Sequence, residues 1–189
     1  MKKIKTYEDF YNEEINIKKA LAGAALGAGL AFGNPVKGQT LTTPTTQTQQ
    51  QDITGWGKSK WNMTPSEISS LYTESRIDSS KYGGGMVSKV KIDNFDISGN
   101  SYEVAFLFKD DKLVKVNLRL KSEHPSIYYE SVKSKLCEKF GKEIYSNKSR
   151  SVEESKWVSP SGYIKLSNTN FAGNENLVIQ YCKNEESGF

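Results

Sequence analysis

The chain has 189 residues, of which 36% are apolar and 25% charged, and its formal net charge is +4. With 10 Tyr, 8 Phe and 3 Trp it has large side chains for a core, so its composition excludes a fully disordered chain, a multi-span membrane protein and a disulfide-dense scaffold. One His and two Cys leave little material for a metal centre or a His-based catalytic network. We therefore predict no cofactor, no metal ligands and no catalytic residues.

Residues 1–33 read as a delivery segment. A mixed-charge stretch precedes residues 20–32, an uncharged apolar run that is too short for a bilayer span of about 20 residues. Such a run suits the apolar core of a secretory signal peptide, and Gly33 closes a small-x-small triplet that signal peptidase accepts. This predicts export to the periplasm or the medium. The alternatives are a separate apolar or amphipathic helix, or a weak anchor that makes transient membrane contact through residues 20–32.

Residues 34–52 are dominated by Thr and Gln. Such a tract buries too little apolar surface to offset the entropy lost on ordering, so we predict a disordered linker. The remaining residues, 53–189, are predicted to form a single domain.

The first element of that domain is a short helix. Thr64 suits the N-cap, Pro65 the first helical position, and Glu67 can complete a capping box. An apolar stripe at helical spacing follows, and the helix is expected to end near Ser75; the stripe is Ile68, Leu71 and Tyr72.

Three strands come next, at about residues 87–97, 102–108 and 113–120. Apolar residues alternate along them between tight turns, which predicts an antiparallel meander with one buried face. The set expected to share the buried face of the third strand is Val114, Val116, Leu118 and Leu120.

A second helix is predicted over residues 126–140, with Gly141 just after its end. Three more strands follow, around residues 155–158, 163–167 and 177–183. The predicted fold is therefore α+β: an antiparallel sheet of about six strands in the order α-β-β-β-α-β-β-β, with the helices packed on one face.

The candidate binding site is the other face of this sheet. Polar residues alternate with the buried set on the third strand, and two lysines of the first strand are candidates for the same face; together they are Lys89, Lys91, Lys115, Asn117, Arg119 and Lys121. Such a basic platform suits an acidic protein partner, another anionic ligand or nucleic acid. Nucleic acid is the less favoured ligand because no aromatic stacking pattern is interleaved. The alternative is an ordinary solvated sheet face.

The two cysteines are a candidate disulfide. Cys137 lies on the second helix and Cys182 in the last strand, so a bond would tie helix to sheet. Alternation places Cys182 opposite Leu177, Ile179 and Tyr181, which favours the alternative of two separate thiols if that trio faces the helices. The lone His124 precedes Pro125 at a helix entrance, and nothing around it indicates catalysis.

Two stretches resemble known families. Trp61-Asn62-Met63-Thr64-Pro65-Ser66-Glu67-Ile68 resembles the Trp-Gly-Met-Thr-x-x-Glu opening of small domains in exported bacterial proteins, with Asn62 in place of Gly. That resemblance, extended over most of residues 55–183, implies a fold like those of the beta-lactamase inhibitors and outer-membrane-assembly lipoproteins, which are binding modules.

The second resemblance lies at the start of the chain. Lys5-Thr6-Tyr7-Glu8-Asp9-Phe10-Tyr11-Asn12-Glu13 is similar to the capsid-targeting propeptides of internal head proteins in T-even-type phages. These are cut after the final Glu, so the resemblance implies processing at Glu13 and packaging with DNA in a phage head.

The favoured interpretation is a non-enzymatic, exported interaction module of phage or bacterial origin. Its residues do not identify its ligand. The alternative is a phage head protein that contacts DNA through the basic face. An enzyme is a third, disfavoured interpretation because no catalytic constellation supports it.

Overall fold

A computed structural model describes residues 51–184. The predicted delivery segment with Glu13 and Gly33, residues 34–50 of the predicted linker and residues 185–189 lie outside the described residues. The described part contains two α-helices, α1 (Pro65–Leu71) and α2 (Tyr129–Phe140), and the strands β1 (Arg76–Ile77), β2 (Val87–Ile97), β3 (Asn100–Lys109), β4 (Lys112–Leu120), β5 (Tyr145–Lys148), β6 (Val152–Val158), β7 (Gly162–Phe171) and β8 (Asn174–Lys183). Short 3₁₀ turns lie at Gly83–Gly85 and Pro125–Tyr128.

All eight strands form one sheet in the order β1-β2-β3-β4-β8-β7-β6-β5, and every neighbouring pair is antiparallel. Each half of the sheet is a meander of four consecutive strands. The second meander is reversed, so that its last strand, β8, lies beside the last strand of the first, β4. That one pairing makes the two meanders a continuous sheet.

The predicted α+β class with an antiparallel sheet is confirmed, but the predicted strand number and element order are wrong. The two additional strands, β1 and β5, have two and four residues and form the two edges. All their residues are exposed, so neither carries the apolar alternation by which a strand is recognised in a sequence. The observed order places four strands after each helix, where three were predicted.

Helix α1 begins with the predicted capping box. The Glu67 N–H donates to Thr64 Oγ1 at 3.4 Å, and the Thr64 N–H donates to Glu67 Oε2 at 2.8 Å. The helix ends at Leu71, earlier than expected, and Tyr72 then turns its ring into the core, where it is 4% exposed.

Helix α2 begins at Tyr129, because the preceding Pro125–Tyr128 segment forms a 3₁₀ turn where helix was predicted. Gly141 follows the helix with a φ of 80°, a conformation that favours glycine. Beyond it, the Trp157 indole N–H donates to the Gly141 carbonyl at 2.9 Å, which ties the end of α2 to β6.

The core lies on one face of the sheet, beneath both helices. Side chains of α1 and α2 pack there against alternating residues of the strands and against the segment that precedes α1. The large side chains of this core include Ile53, Trp56, Ile68, Phe106, Phe108, Tyr129, Leu136, Phe140 and Trp157. Trp56 stacks on Tyr72 with ring centroids 5.8 Å apart. Both helices therefore occupy the same face, as the fold prediction assumed.

One register detail corrects the predicted core. Leu107 pairs with Lys115 but Phe108 pairs with Leu113, so β4 contains one extra residue, Val114, opposite β3. This bulge moves Leu113 into the core, where it is fully buried, and removes Val114 from the face it was predicted to share.

Candidate binding face of the sheet

The sheet face opposite the helices, called the open face below, runs across both meanders. One row of directly paired residues crosses six strands in the order Lys91, Ala105, Asn117, Gln180, Lys165 and Lys156. Since neighbouring strands lie about 4.8 Å apart, this row extends over about 24 Å. A surface of that width suits a macromolecular partner.

The structure places four of the six predicted binding residues on the open face: Lys91, Lys115, Asn117 and Arg119. Lys89 lies instead in a β2 irregularity between Ser88 and Val90, and its ammonium is paired with Asp111. Lys121 follows β4, and its ammonium donates to Asn94 Oδ1 at 2.7 Å.

Carboxylates neutralise much of the predicted positive charge. Lys91 Nζ lies 2.9 Å and Arg119 Nη2 3.1 Å from the same oxygen, Oε2 of Glu103. Burial opposes ionisation of Glu103, but the hydrogen bond from Lys91 and the charge of Arg119 outweigh it, and the pKa of Glu103 lies below its ordinary value. Glu103 is therefore ionised at neutral pH, and its carboxylate forms ion pairs with both Lys91 and Arg119.

A second group of cations lies where the two meanders meet. Lys115 on β4 pairs with Cys182 on β8, which pairs in turn with Tyr163 on β7. Lys156 Nζ lies 4.5 Å from the centroid of the Tyr163 ring, a cation–π distance. We call Lys115, Lys156 and Lys165 the lysine cluster.

Only one member of the lysine cluster has a carboxylate partner among residues 51–184. Lys165 Nζ lies 2.7 Å from Glu154 Oε2, whereas Lys115 and Lys156 form no such ion pair. All three ammonium groups act on the thiol of Cys182, where burial raises the pKa and the hydrogen bond with Tyr163 and the nearby lysines only partly offset it. The thiol is thus protonated at neutral pH, and a nucleophilic role for Cys182 has no support.

Sequence reasoning missed Lys156, Tyr163 and Lys165. A signal was available, since Lys165 alternates with the buried Ile164 and Leu166. The prediction nevertheless considered only the first meander, because nothing in the local pattern indicates that β4 and β8 pair.

The candidate disulfide is absent, and both cysteines are free thiols. Cys137 packs against the core on the helix side, and its Sγ–H donates to Glu143 Oε2 at 3.4 Å. Cys182 is buried on the open face, beside Lys115 and Tyr163. The two sulfur atoms lie on opposite faces of the sheet. This agrees with the alternative prediction of two separate thiols, which followed from the alternation along the last strand.

Within residues 51–184, no three or more His, Cys, Asp or Glu side chains are grouped so that they could bind a metal ion. His124 occupies the N-cap position of the Pro125–Tyr128 turn, where its side chain makes no capping hydrogen bond, while Cys137 contacts Glu143. The same part of the chain has no helix with the length and apolarity needed to cross a membrane.

Comparisons with known proteins give no assignment. No family model, curated protein or solved structure matches this chain significantly.

Proposed function

We propose that the domain is a non-enzymatic, exported binding module that recognises an acidic protein partner through its open face. The observation that carries this proposal is the lysine cluster. Two of its ammonium groups have no carboxylate partner within residues 51–184, and they lie at the centre of a wide sheet face that no described helix covers. Surrounding amide and hydroxyl groups, such as those of Asn117, Gln180 and Ser167, supply uncharged hydrogen-bonding partners.

The charge distribution favours a protein over nucleic acid. Tight DNA binding takes several phosphate contacts, and each contact needs a cation that can leave its own counterion. Here Lys91 and Arg119 already share Glu103, and the negative charges of Glu103 and Glu154 would face the phosphates. A face with interspersed charges of both signs instead suits the polar part of a protein–protein interface.

The lysine cluster is tested by a charge-reversal pair. Lys115→Glu/Lys156→Glu reverses two open-face charges, and Lys60→Glu/Lys135→Glu makes the same change of net charge at exposed positions before α1 and in α2. Binding of labelled poly-L-glutamate is measured by fluorescence anisotropy near 0.15 M salt, where the Debye length of about 8 Å limits the effect of remote charges. We expect the open-face variant to bind about tenfold more weakly or worse, equivalent to about 1.4 kcal/mol, and the control to bind nearly as wild type. Equal weakening in both variants would reject the open face as the site.

The second candidate, packaging with DNA in a phage head, is favoured by the propeptide-like stretch that ends at Glu13. It predicts that the chain binds a short DNA duplex with an affinity that falls steeply as salt rises, and that the Lys115→Glu/Lys156→Glu variant loses this binding. Duplex binding that is unaffected by either the variant or the salt would rule out this use of the face.

N-terminal sequencing of the mature protein separates the two candidates. Cleavage after Gly33 leaves Asn34 first and supports export, whereas cleavage after Glu13 leaves Glu14 first and supports prohead processing. A mature chain that still begins at Met1 contradicts both proposals about delivery.

A further inference from the structure

The β5 edge of the sheet is a second exposed surface of the domain. β5 is the last strand in the sheet order, and among residues 51–184 only β6 pairs with it. All four of its residues are exposed, and so is Ile144 just before it. Among large apolar side chains these exposures are unusual: Ile144 is 63% and Tyr145 46% exposed. This edge therefore offers both backbone groups and apolar surface.

The register shows which backbone groups of β5 are unpaired. The Ser149 N–H donates to the Val152 carbonyl at 2.8 Å, and the same register continues along the ladder to Tyr145 opposite Lys156. In an antiparallel ladder, hydrogen-bonded pairs alternate with non-hydrogen-bonded pairs. Tyr145 and Asn147 therefore direct their N–H and C=O groups toward β6, and Ser146 and Lys148 direct theirs outward, where another strand can pair with them.

The charges beside this edge determine which strand fits. Lys142 and Arg150 flank β5, are exposed and have no carboxylate partner among residues 51–184. The neighbouring carboxylates are already occupied, since Glu143 is bound by Lys133 at 2.8 Å and Glu153 by Lys148 at 2.8 Å. A second copy of the chain, paired edge to edge, would place these cations against one another, so charge complementarity selects an acidic strand from a different protein.

We propose that the β5 edge binds an extended segment with alternating acidic and apolar residues, which adds a ninth strand to the eight-stranded sheet. The outward N–H and C=O groups of Ser146 and Lys148 supply the backbone hydrogen bonds. Ile144 and Tyr145 supply the apolar contact, and Lys142 and Arg150 supply the charge selection. Tyr145 lies opposite Lys156 of the lysine cluster, but the backbone groups of Ser146 are separate from the cluster's charges. Ser146→Pro and Lys115→Glu/Lys156→Glu therefore test the two surfaces separately.

The test uses the full-length protein and a short blocked peptide of alternating Glu and Val, with a Lys/Val peptide as the control ligand. Ser146→Pro removes one outward N–H, and Ser146→Ala at the same position removes the hydroxyl but keeps the N–H. Peptide binding is measured by isothermal titration calorimetry. We expect the Glu/Val peptide to bind wild type and Ser146→Ala alike, Ser146→Pro to bind it about tenfold more weakly or worse, and the Lys/Val peptide not to bind.

Hydrogen exchange of the wild-type protein tests the same site without a substitution. In the free protein the amides of Ser146 and Lys148 should exchange much faster than those of Tyr145 and Asn147, and the Glu/Val peptide should slow the first two. Protection that appears only at other strands would overturn the proposal, as would equal binding of both peptides. It would also be overturned if sedimentation showed a dimer of the free chain that Ser146→Pro abolishes, because the occupant would then be a second copy.

Discussion

At the scale of single residues, the most strongly perturbed carboxylate is Glu143, just after α2. Its Oε1 lies 2.8 Å from Lys133 Nζ, and its Oε2 accepts from Cys137 Sγ at 3.4 Å. The hydrogen bond from Lys133 is the main cause that lowers the pKa of Glu143 from 4.5 to about 2. This side chain is only 15% exposed, so its ion pair is about as well shielded from water as the Lys91–Glu103 pair and better than the other pairs of residues 51–184.

This pair predicts a pH-dependent contribution to stability. The pKa of Glu143 is lower in the folded protein than in the unfolded chain. The ion pair therefore contributes fully to the free energy of unfolding above about pH 4.5, and this contribution is lost as the pH falls toward about 2. We expect Glu143→Gln to lower the free energy of unfolding by about 1–2 kcal/mol at pH 7, and the difference from wild type to shrink through that acid window. Urea unfolding at neutral and acid pH measures it. Glu138→Gln, at an exposed position of α2, is the control. A difference for Glu143→Gln that does not change with pH would contradict the assignment.

At the scale of elements, α1 shows how the hydrogen bonds at its two ends stabilise a short helix. It has only seven residues and buries just Ile68, so propensity alone would not hold it. The capping box at Thr64 and Glu67 satisfies two N–H groups at its N-terminus, and Tyr72 donates its phenolic hydrogen to the Trp56 carbonyl at 3.3 Å after its end.

The cap is therefore predicted to contribute measurably. Thr64→Ala leaves the Glu67 N–H without its acceptor and should lower the free energy of unfolding by about 1 kcal/mol. Chemical denaturation measures the change. Ser69→Ala, at an exposed position inside the same helix, should have little effect because Ala is a good helix former. A Thr64→Ala loss no larger than that of Ser69→Ala would show that the cap does not stabilise the domain.

At the scale of the whole molecule, the segment before α1 is part of the folded domain. Ile53 is 1% and Trp56 7% exposed, and the Ile53 N–H donates to Ser159 Oγ at 2.9 Å, far along the chain. Gly162 lies so close to this segment that a Cβ there would meet the Ile53 carbonyl oxygen at 2.6 Å. Asp52, the last residue of the predicted linker, also accepts hydrogen bonds from the Ser161 N–H at 3.1 Å and the Ser161 hydroxyl at 2.6 Å, so the anchor begins before the predicted boundary at residue 53.

Two truncations test that boundary. Because residues 34–52 are predicted to be a linker, a chain that begins at Gln51 should unfold with nearly the free energy of the full chain. A chain that begins at Lys60 lacks Ile53 and Trp56 and should lose at least about 4 kcal/mol, the cost of removing two large core side chains. Urea unfolding of both measures the difference. Similar stability of the two truncated chains would mean that the segment is not part of the core.

The sequence by itself determined the features that depend on residues close together in the chain. The capping box at Thr64, the alternation along β3 and β4 and the apolar stripe of α2 are patterns within a few residues, and each predicted its element. Alternation also indicated that Cys182 faces away from the helices. Only the tertiary structure decided the features that depend on contacts between distant residues. The pairing of β4 with β8 brings Lys115 together with Lys156 and Tyr163. The bulge at Val114 places Leu113 in the core instead of Val114. Long-range pairing and register depend on which surfaces the whole chain can bury at once, and no short window of sequence contains that information.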